Sequence, residues 1–97
     1  MCVGVIGGMD RLERRYVIEA ERVGISLKVF NGTEARLASR MGNVDAMVIF
    51  TNKVSHRAKR EAMSMAKSRN IPVFLHHSCG VCTLRRCLDC IRPMGGN

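Results

Sequence analysis

Four cysteines near the end of the chain have the residue type and the spacing of a metal site. The four are Cys79, Cys82, Cys87 and Cys90. Their pattern is C-x2-C-x4-C-x2-C, and two histidines, His76 and His77, precede it. Thiolate and imidazole groups are common protein ligands of zinc, and thiolates hold iron–sulfur clusters. The array therefore predicts a metal or a cluster, with the four cysteines as ligands and His76, His77 or His56 in support.

The spacing favours an iron–sulfur cluster over zinc. The last three cysteines have the C-x4-C-x2-C spacing of plant-type ferredoxins, in which a distant fourth cysteine completes the ligand set. Here Cys79 or Cys2 would take that place. Zinc ribbons separate their two C-x2-C pairs by roughly a dozen residues or more. We therefore rank an iron–sulfur cluster first, zinc second and a redox-active dithiol third, and haem bound through a histidine is a further alternative.

Helical periodicity continues through the cysteines and limits how they can converge. A helix over 79–91 has its apolar stripe at Val81, Leu84, Leu88 and Ile91. It turns Cys79, Cys82 and Cys90 away from that stripe, and Cys87 lies at the border. On a straight helix Cys82 and Cys90 are about 12 Å apart, too far for one ion with metal–sulfur bonds of about 2.3 Å. The segment therefore unwinds at its start, or forms half-sites completed by a second subunit, or uses only its first cysteine pair with a histidine.

Length and hydropathy indicate one small domain that spans residues 1–97. No apolar run approaches the roughly 20 residues that cross a bilayer. The first residues lack the basic and apolar regions of a signal peptide. We therefore predict a cytoplasmic protein with no membrane association, and in a reducing cytosol clustered thiols are metal ligands or redox groups more often than disulfides.

The charge balance is strongly basic. Lys and Arg number 16 against eight Asp and Glu, which gives a net charge of +8. Such a domain attracts polyanions, so acidic or redox proteins are candidate partners, and nucleic acid is supported by charge alone. The three Phe, one Tyr and absent Trp argue against a base-stacking platform. The half-site hypothesis adds a homodimer to the predicted partners.

Apolar runs alternate with helical stripes along the whole chain. The strand-like runs are 2–6, 26–30, 45–50 and 72–75, and the helical stripes are 11–23, 33–41, a segment capped by Ser55, and 79–91. Regular alternation with short connections predicts an α/β fold with a four-stranded parallel sheet and helices on both faces. The expected strand order is 2-1-3-4, as in flavodoxin-like or half-Rossmann folds.

Polar residues follow the predicted strands at the edge where such sheets bind ligands. The candidates are Gly8, Asp10, Asn52, Ser55 and His56. A Gly7-Gly8 turn before a helix suits an anion, but the segment has neither G-x-G-x-x-G nor a Walker A lysine, and a tight turn would explain the glycines equally well. Ser55 is equally a helix cap and His56 a surface residue. The second hypothesis is therefore a module that binds an anionic small molecule or nucleotide. No nucleophile–base–orienter set is visible, so an enzyme is not favoured.

Three segments of the chain resemble a bacterial family of unknown function. They are Val-Ile-Gly-Gly-Met-Asp-Arg-Leu at 5–12, Val-Ile-Phe-Thr-Asn-Lys-Val-Ser-His at 48–56 and Asn-Ile-Pro-Val-Phe at 70–74. Over roughly residues 3–90 the chain is similar to domain-of-unknown-function family 2325. The resemblance implies the same α/β fold and brings no activity. The cysteine array departs from the usual family pattern, so the resemblance does not account for it.

Overall fold

The computed structural model of the chain describes residues 1–30, 40–77 and 80–95, with side chains up to Ile91. Its strands are β1 (Cys2–Ile6), β2 (Ser26–Phe30), β3 (Ala46–Phe50) and β4 (Val73–His76). Its helices are α1 (Glu13–Arg22), α2 (His56–Ser68) and α3 (Val81–Gly95). Short 3-10 turns, Asp10–Leu12 and Thr51–Lys53, follow β1 and β3.

The four strands form one parallel sheet in the order β2-β1-β3-β4. This confirms the predicted fold class and strand order. Val5 of β1 aligns with Val29 of β2 and with Val48 of β3. All five residues of β3 are buried. Continuous apolar runs are typical of strands that are covered on both faces, which is why these segments lack polar alternation.

Helices cover both faces of the sheet and divide the core in two. Val3, Val5 and Val48 contact one core cluster, to which α1 contributes Tyr16 and α3 contributes Leu84. Ile6, Met47 and Ile49 belong to the other cluster, which α2 covers with the four residues Ala58, Ala62, Met65 and Ala66. Adjacent strand residues therefore point to opposite helical layers.

Some element bounds differ from the prediction. The first helix begins at Glu13, since Asp10–Leu12 forms a 3-10 turn whose N-cap is Met9. Most of the predicted helix over 33–41 lies outside the described residues, and its last two residues are helical. The last helix runs to Gly95 and passes Pro93, because a proline removes one backbone hydrogen bond and can kink a helix without ending it.

The position of α3 on the sheet is fixed by an apolar stripe and one ion pair. The buried residues of the helix are Leu84, Cys87, Leu88 and Ile91. Arg85 donates from Nε to Glu19 Oε1 at 3.1 Å and from Nη2 to Oε2 at 3.2 Å. This two-pronged contact joins α3 to α1, and the Arg85 guanidinium lowers the pKa of the Glu19 carboxyl. Together the stripe and the pair set which side of α3 faces solvent.

Cys87 belongs to that stripe and is 2% exposed. Burial raises the pKa of its thiol to about 11, and the neighbouring Cys90 adds to the shift. A thiolate is unfavourable in this apolar setting because it loses its hydration. At neutral pH the folded protein therefore keeps Cys87 protonated, as a small apolar core residue.

The raised pKa predicts a pH dependence of stability. Because the folded state holds the Cys87 proton more tightly than the unfolded chain, its contribution is complete below the ordinary thiol pKa of 9.0 and is lost as the pH rises towards about 11. We expect the free energy of unfolding, measured by urea titration, to fall over this range. The free energy of unfolding of Cys87→Ala should fall less steeply over this range. That of Cys82→Ala should follow the wild type, because Cys82 is exposed. Identical slopes for the wild type and Cys87→Ala would contradict this assignment.

The turn after β1 needs its glycines for packing. Gly7 has a φ of +91°, and a Cβ at this position would lie 2.8 Å from the backbone oxygen of Phe50. A Cβ on Gly8 would lie 2.7 Å from Cε2 of Tyr16. The Tyr16 ring cannot easily move, since it is fully buried and its hydroxyl accepts a hydrogen bond from the Met9 N–H at 3.2 Å.

Gly8→Ala is therefore expected to lower the free energy of unfolding by about 1–3 kcal/mol, as an overpacked core residue does. Gly4→Ala is the matched control, because its nearest neighbour is the flexible end of Met41, with Sδ at 2.9 Å. A thioether side chain can repack, so Gly4→Ala should cost less. Chemical denaturation of both variants checks the order, and equal costs would contradict it.

Candidate metal centre and sheet edge

The described cysteines of α3 divide between solvent and core. Cys82 and Cys90 are exposed, whereas Cys87 is buried. Because α3 is helical from Val81 onwards, Cys82 and Cys90 are separated by about 12 Å along its axis, at roughly 1.5 Å per residue. One ion in one chain therefore cannot bind both thiols. Cys79 lies outside the described residues, so unwinding of the segment before Val81 stays a prediction.

No three His, Cys, Asp or Glu side chains come together to hold a metal ion within the described parts of the chain. The two strand-end histidines lie at the carboxyl edge of the sheet, which is also the end where α3 begins. His76 is partly buried and its backbone carbonyl accepts a hydrogen bond from Thr51 Oγ1 at 3.5 Å, while His77 is exposed. Cys82 is in the first turn of α3, close to these residues in sequence. A metal site here would need further ligands, either from Cys79 or from another chain.

Cys2 does not share a face with the cysteines of α3. It lies at the start of β1, where its N–H donates to Asp45 Oδ2 at 2.7 Å. Its side chain packs against the core on the α2 side of the sheet, whereas α3 covers the opposite face. Cys2 is therefore a poor candidate for the distant fourth ligand that ferredoxin-like spacing requires.

The residues predicted at the sheet edge have structural partners of their own. Ser55 caps α2, since its Oγ accepts a hydrogen bond from the Ala58 N–H at 3.1 Å. Gly8 lies against the Tyr16 ring. Asp10, Asn52 and His56 are exposed. The fold brings these positions to one edge, and their role in binding an anion stays a prediction.

One surface feature was missed by the sequence analysis. A groove of about 760 Å³ runs beside α2, with Met63, Ile71 and Val73 among its apolar lining and four basic residues around it. The basic residues are His56, Lys59, Arg60 and Lys67. The signal was present in the sequence, because Met63 lies off the core stripe of α2 and has a lysine four positions away on each side.

No described helix is long and apolar enough to cross a membrane.

Comparisons with known proteins identify the architecture. A de novo designed Rossmann 2x2 fold protein, solved by solution NMR, has a TM-score of 0.63 at 19% identity, covering 100% of this chain and 92% of the designed one. A second de novo designed Rossmann fold protein has a TM-score of 0.64 at 14% identity, covering 95% and 97%. At such low identity these similarities show the fold alone.

No curated protein matches the chain. A family model does match it, over residues 2–91, which is nearly the whole length. The matched region includes the predicted glycine turn, the strand edge and all the cysteines of the array. The chain therefore belongs to DUF2325, a family described as uncharacterized protein conserved in bacteria.

Proposed function

We propose that this protein binds an iron–sulfur cluster or a zinc ion between two copies of the chain, and that it acts in redox chemistry, sensing or cluster handling in the cytoplasm. Cys79 and Cys82 of each copy would supply the ligands, with His76, His77 or His56 in support. The observation that carries the proposal is the division of α3, which exposes Cys82 in its first turn and buries Cys87.

A shared site would supply ligands that the described residues of one chain do not bring together. Two chains related by a two-fold axis would contribute two C-x2-C pairs, and four thiolates suit an iron–sulfur cluster or tetrahedral zinc. An iron–sulfur cluster remains the first choice, zinc the second and haem the last.

The other two cysteines have different roles in this proposal. Cys87 is a core residue that is 2% exposed and packs with Leu84 and Leu88, so its thiol would have to leave the core to reach a metal ion at the surface. Cys90 is exposed but lies about 12 Å along the helix from Cys82, so it belongs to a different part of the surface. This reduces the predicted ligand set of four cysteines to the first pair.

The second hypothesis is an anion-binding module at Gly8, Asp10, Asn52, Ser55 and His56. The packing roles of Gly7 and Gly8 account for the glycine turn without a ligand. Thermal stabilisation by nucleotides or phosphate would support the module if it survives replacement of every array cysteine. The same replacement separates the two hypotheses, because the proposed metal site needs the thiols and the anion-binding module does not.

Thiol reactivity tests the division of α3 directly. In the reduced, metal-free protein at neutral pH, we expect iodoacetamide to modify Cys82 and Cys90 rapidly. Cys87 should react at least about 100-fold more slowly, because the reagent can reach its buried thiol only when the structure opens locally. Peptide mass spectrometry after timed quenching gives the three rates, and denaturant should make them similar. Comparable rates for Cys82 and Cys87 in the native protein would overturn the assignment.

Metal content tests the function itself. Protein prepared without oxygen should contain iron with acid-labile sulfide, or zinc, at about one cluster or ion per two chains. Cys82→Ala should lower that content at least about tenfold, because its thiolate is lost from a site of few ligands. Cys87→Ala and Cys90→Ala are matched controls that should retain it.

Two outcomes would contradict the proposal. One is the absence of iron, sulfide and zinc from protein purified both with and without oxygen. The other is loss of metal from Cys87→Ala while circular dichroism shows that the variant is folded. A visible spectrum of each sample separates a cluster from zinc, because only the cluster absorbs and bleaches on reduction.

A further inference from the structure

The two edges of the sheet differ in how they are protected. Strand β2 carries exposed Ser26 and Lys28, and the Lys28 ammonium donates to the Met41 carbonyl at 3.0 Å. Strand β4 has the sequence Val-Phe-Leu-His, with no lysine, arginine or acid, and its Leu75 is 48% exposed. Natural proteins protect edge strands with charges because an unpaired edge is a template for another strand. Among the described residues, β4 is the less protected edge.

A groove lined by both apolar and basic residues lies beside β4. It runs along α2 and reaches Ile71 and Val73, at the start of β4. Met63 lines the groove and is 39% exposed, one of three large apolar side chains exposed among the described residues. The surrounding basic residues are His56, Lys59, Arg60 and Lys67. The spacing of Lys59, Met63 and Lys67 places all three on one side of α2.

The groove and the edge face the same helical layer. Val73 packs against the α2-side core, while Phe74 packs against the opposite core. Leu75, two residues after Val73, therefore points to the α2 side as well. A strand added beside β4 would place alternate side chains over Leu75 and along the groove, within reach of the lysines of α2.

We propose that the free edge of β4 and the basic groove beside it bind an extended, acidic segment of a partner protein, which adds to the sheet as a fifth strand. Main-chain hydrogen bonds to β4 would supply affinity, and alternate side chains would supply specificity. Apolar side chains of the segment would cover Met63 and Leu75, and its carboxylates would meet Lys59 and Lys67.

The positive charge of the groove favours an acidic segment over a second copy of the chain as the bound partner. Each chain carries a net charge of +8, and pairing two β4 edges would bring two basic grooves together. Like charges at an interface oppose association, whereas an acidic segment complements the groove and is drawn to it. The groove is on the side of the sheet away from the cysteines of α3. Because His56 lines the groove and His76 ends β4, binding is tested on protein with and without metal.

A peptide of about ten residues with the repeat Val-Thr-Glu-Thr is the probe, because valine and glutamate then alternate along the one face of its extended form that would point towards α2. Titrated into isotope-labelled protein and followed by NMR, it should give saturable shifts in β4 and α2. The same peptide with lysine in place of glutamate should give none. The full chain is used throughout, with or without metal.

Substitutions of exposed residues inside and outside the groove test where the peptide binds. The substitutions Leu75→Lys and Lys67→Glu should each raise the Kd for the glutamate peptide at least about tenfold, which corresponds to about 1.4 kcal/mol of binding free energy. Ile18→Lys is the control, because Ile18 is 44% exposed on α1, away from the groove.

The proposal is overturned if the peptide causes no saturable shifts in β4 and α2, or if Leu75→Lys binds it as well as the wild type does. It is also overturned if the lysine peptide binds equally. Concentration-dependent shifts of the same residues without any peptide, abolished by Leu75→Lys, would identify a second copy as the occupant instead.

Discussion

The packing of α3 against the sheet is the constraint on which the chemistry of this protein depends. Its buried residues lie at positions 84, 87, 88 and 91, one continuous side of a helix. The Arg85–Glu19 pair holds the helix against α1. Rotating α3 to expose Cys87 would pull Leu84 and Leu88 out of the core, at about 1.5–3 kcal/mol for each fully buried side chain. The core therefore decides which thiols reach solvent.

The parallel sheet imposes a second constraint, on where ligands and partners can approach. Its central strands β1 and β3 are covered by helices on both faces, so no ligand reaches them. Only the strand ends and the two outer strands are accessible. The carboxyl end carries His76 and the start of α3, and the outer strand β4 carries Leu75 beside the basic groove. The thiols of the proposed metal site and the groove of the proposed protein-binding surface would thus lie on opposite helical layers.

The fold could be predicted from the sequence because each buried strand is a short apolar run and each helix repeats its apolar residues with helical spacing. The role of Cys87 was harder to predict, because a cysteine is both a small apolar residue and a metal ligand. Its spacing from Leu84 and Leu88 does place it on the core stripe, but the surrounding cysteines favoured ligation. The groove beside α2 was only partly predictable: the strand order makes β4 an outer strand and the sequence places Met63 between two lysines, but the proximity of Met63 to Ile71 and Val73 depends on the tertiary packing.

The proposed sharing of one metal site by two chains follows from the described residues of a single chain, which bring no three ligands together. Native mass spectrometry of protein prepared without oxygen tests this most directly, because it reports metal content and the number of chains in the same ion. We expect the dimer to carry the mass of the iron–sulfur cluster or zinc ion, and we expect removal of the metal with a chelator to yield metal-free monomers. Monomers that carry a complete cluster or a tightly bound zinc ion would contradict it.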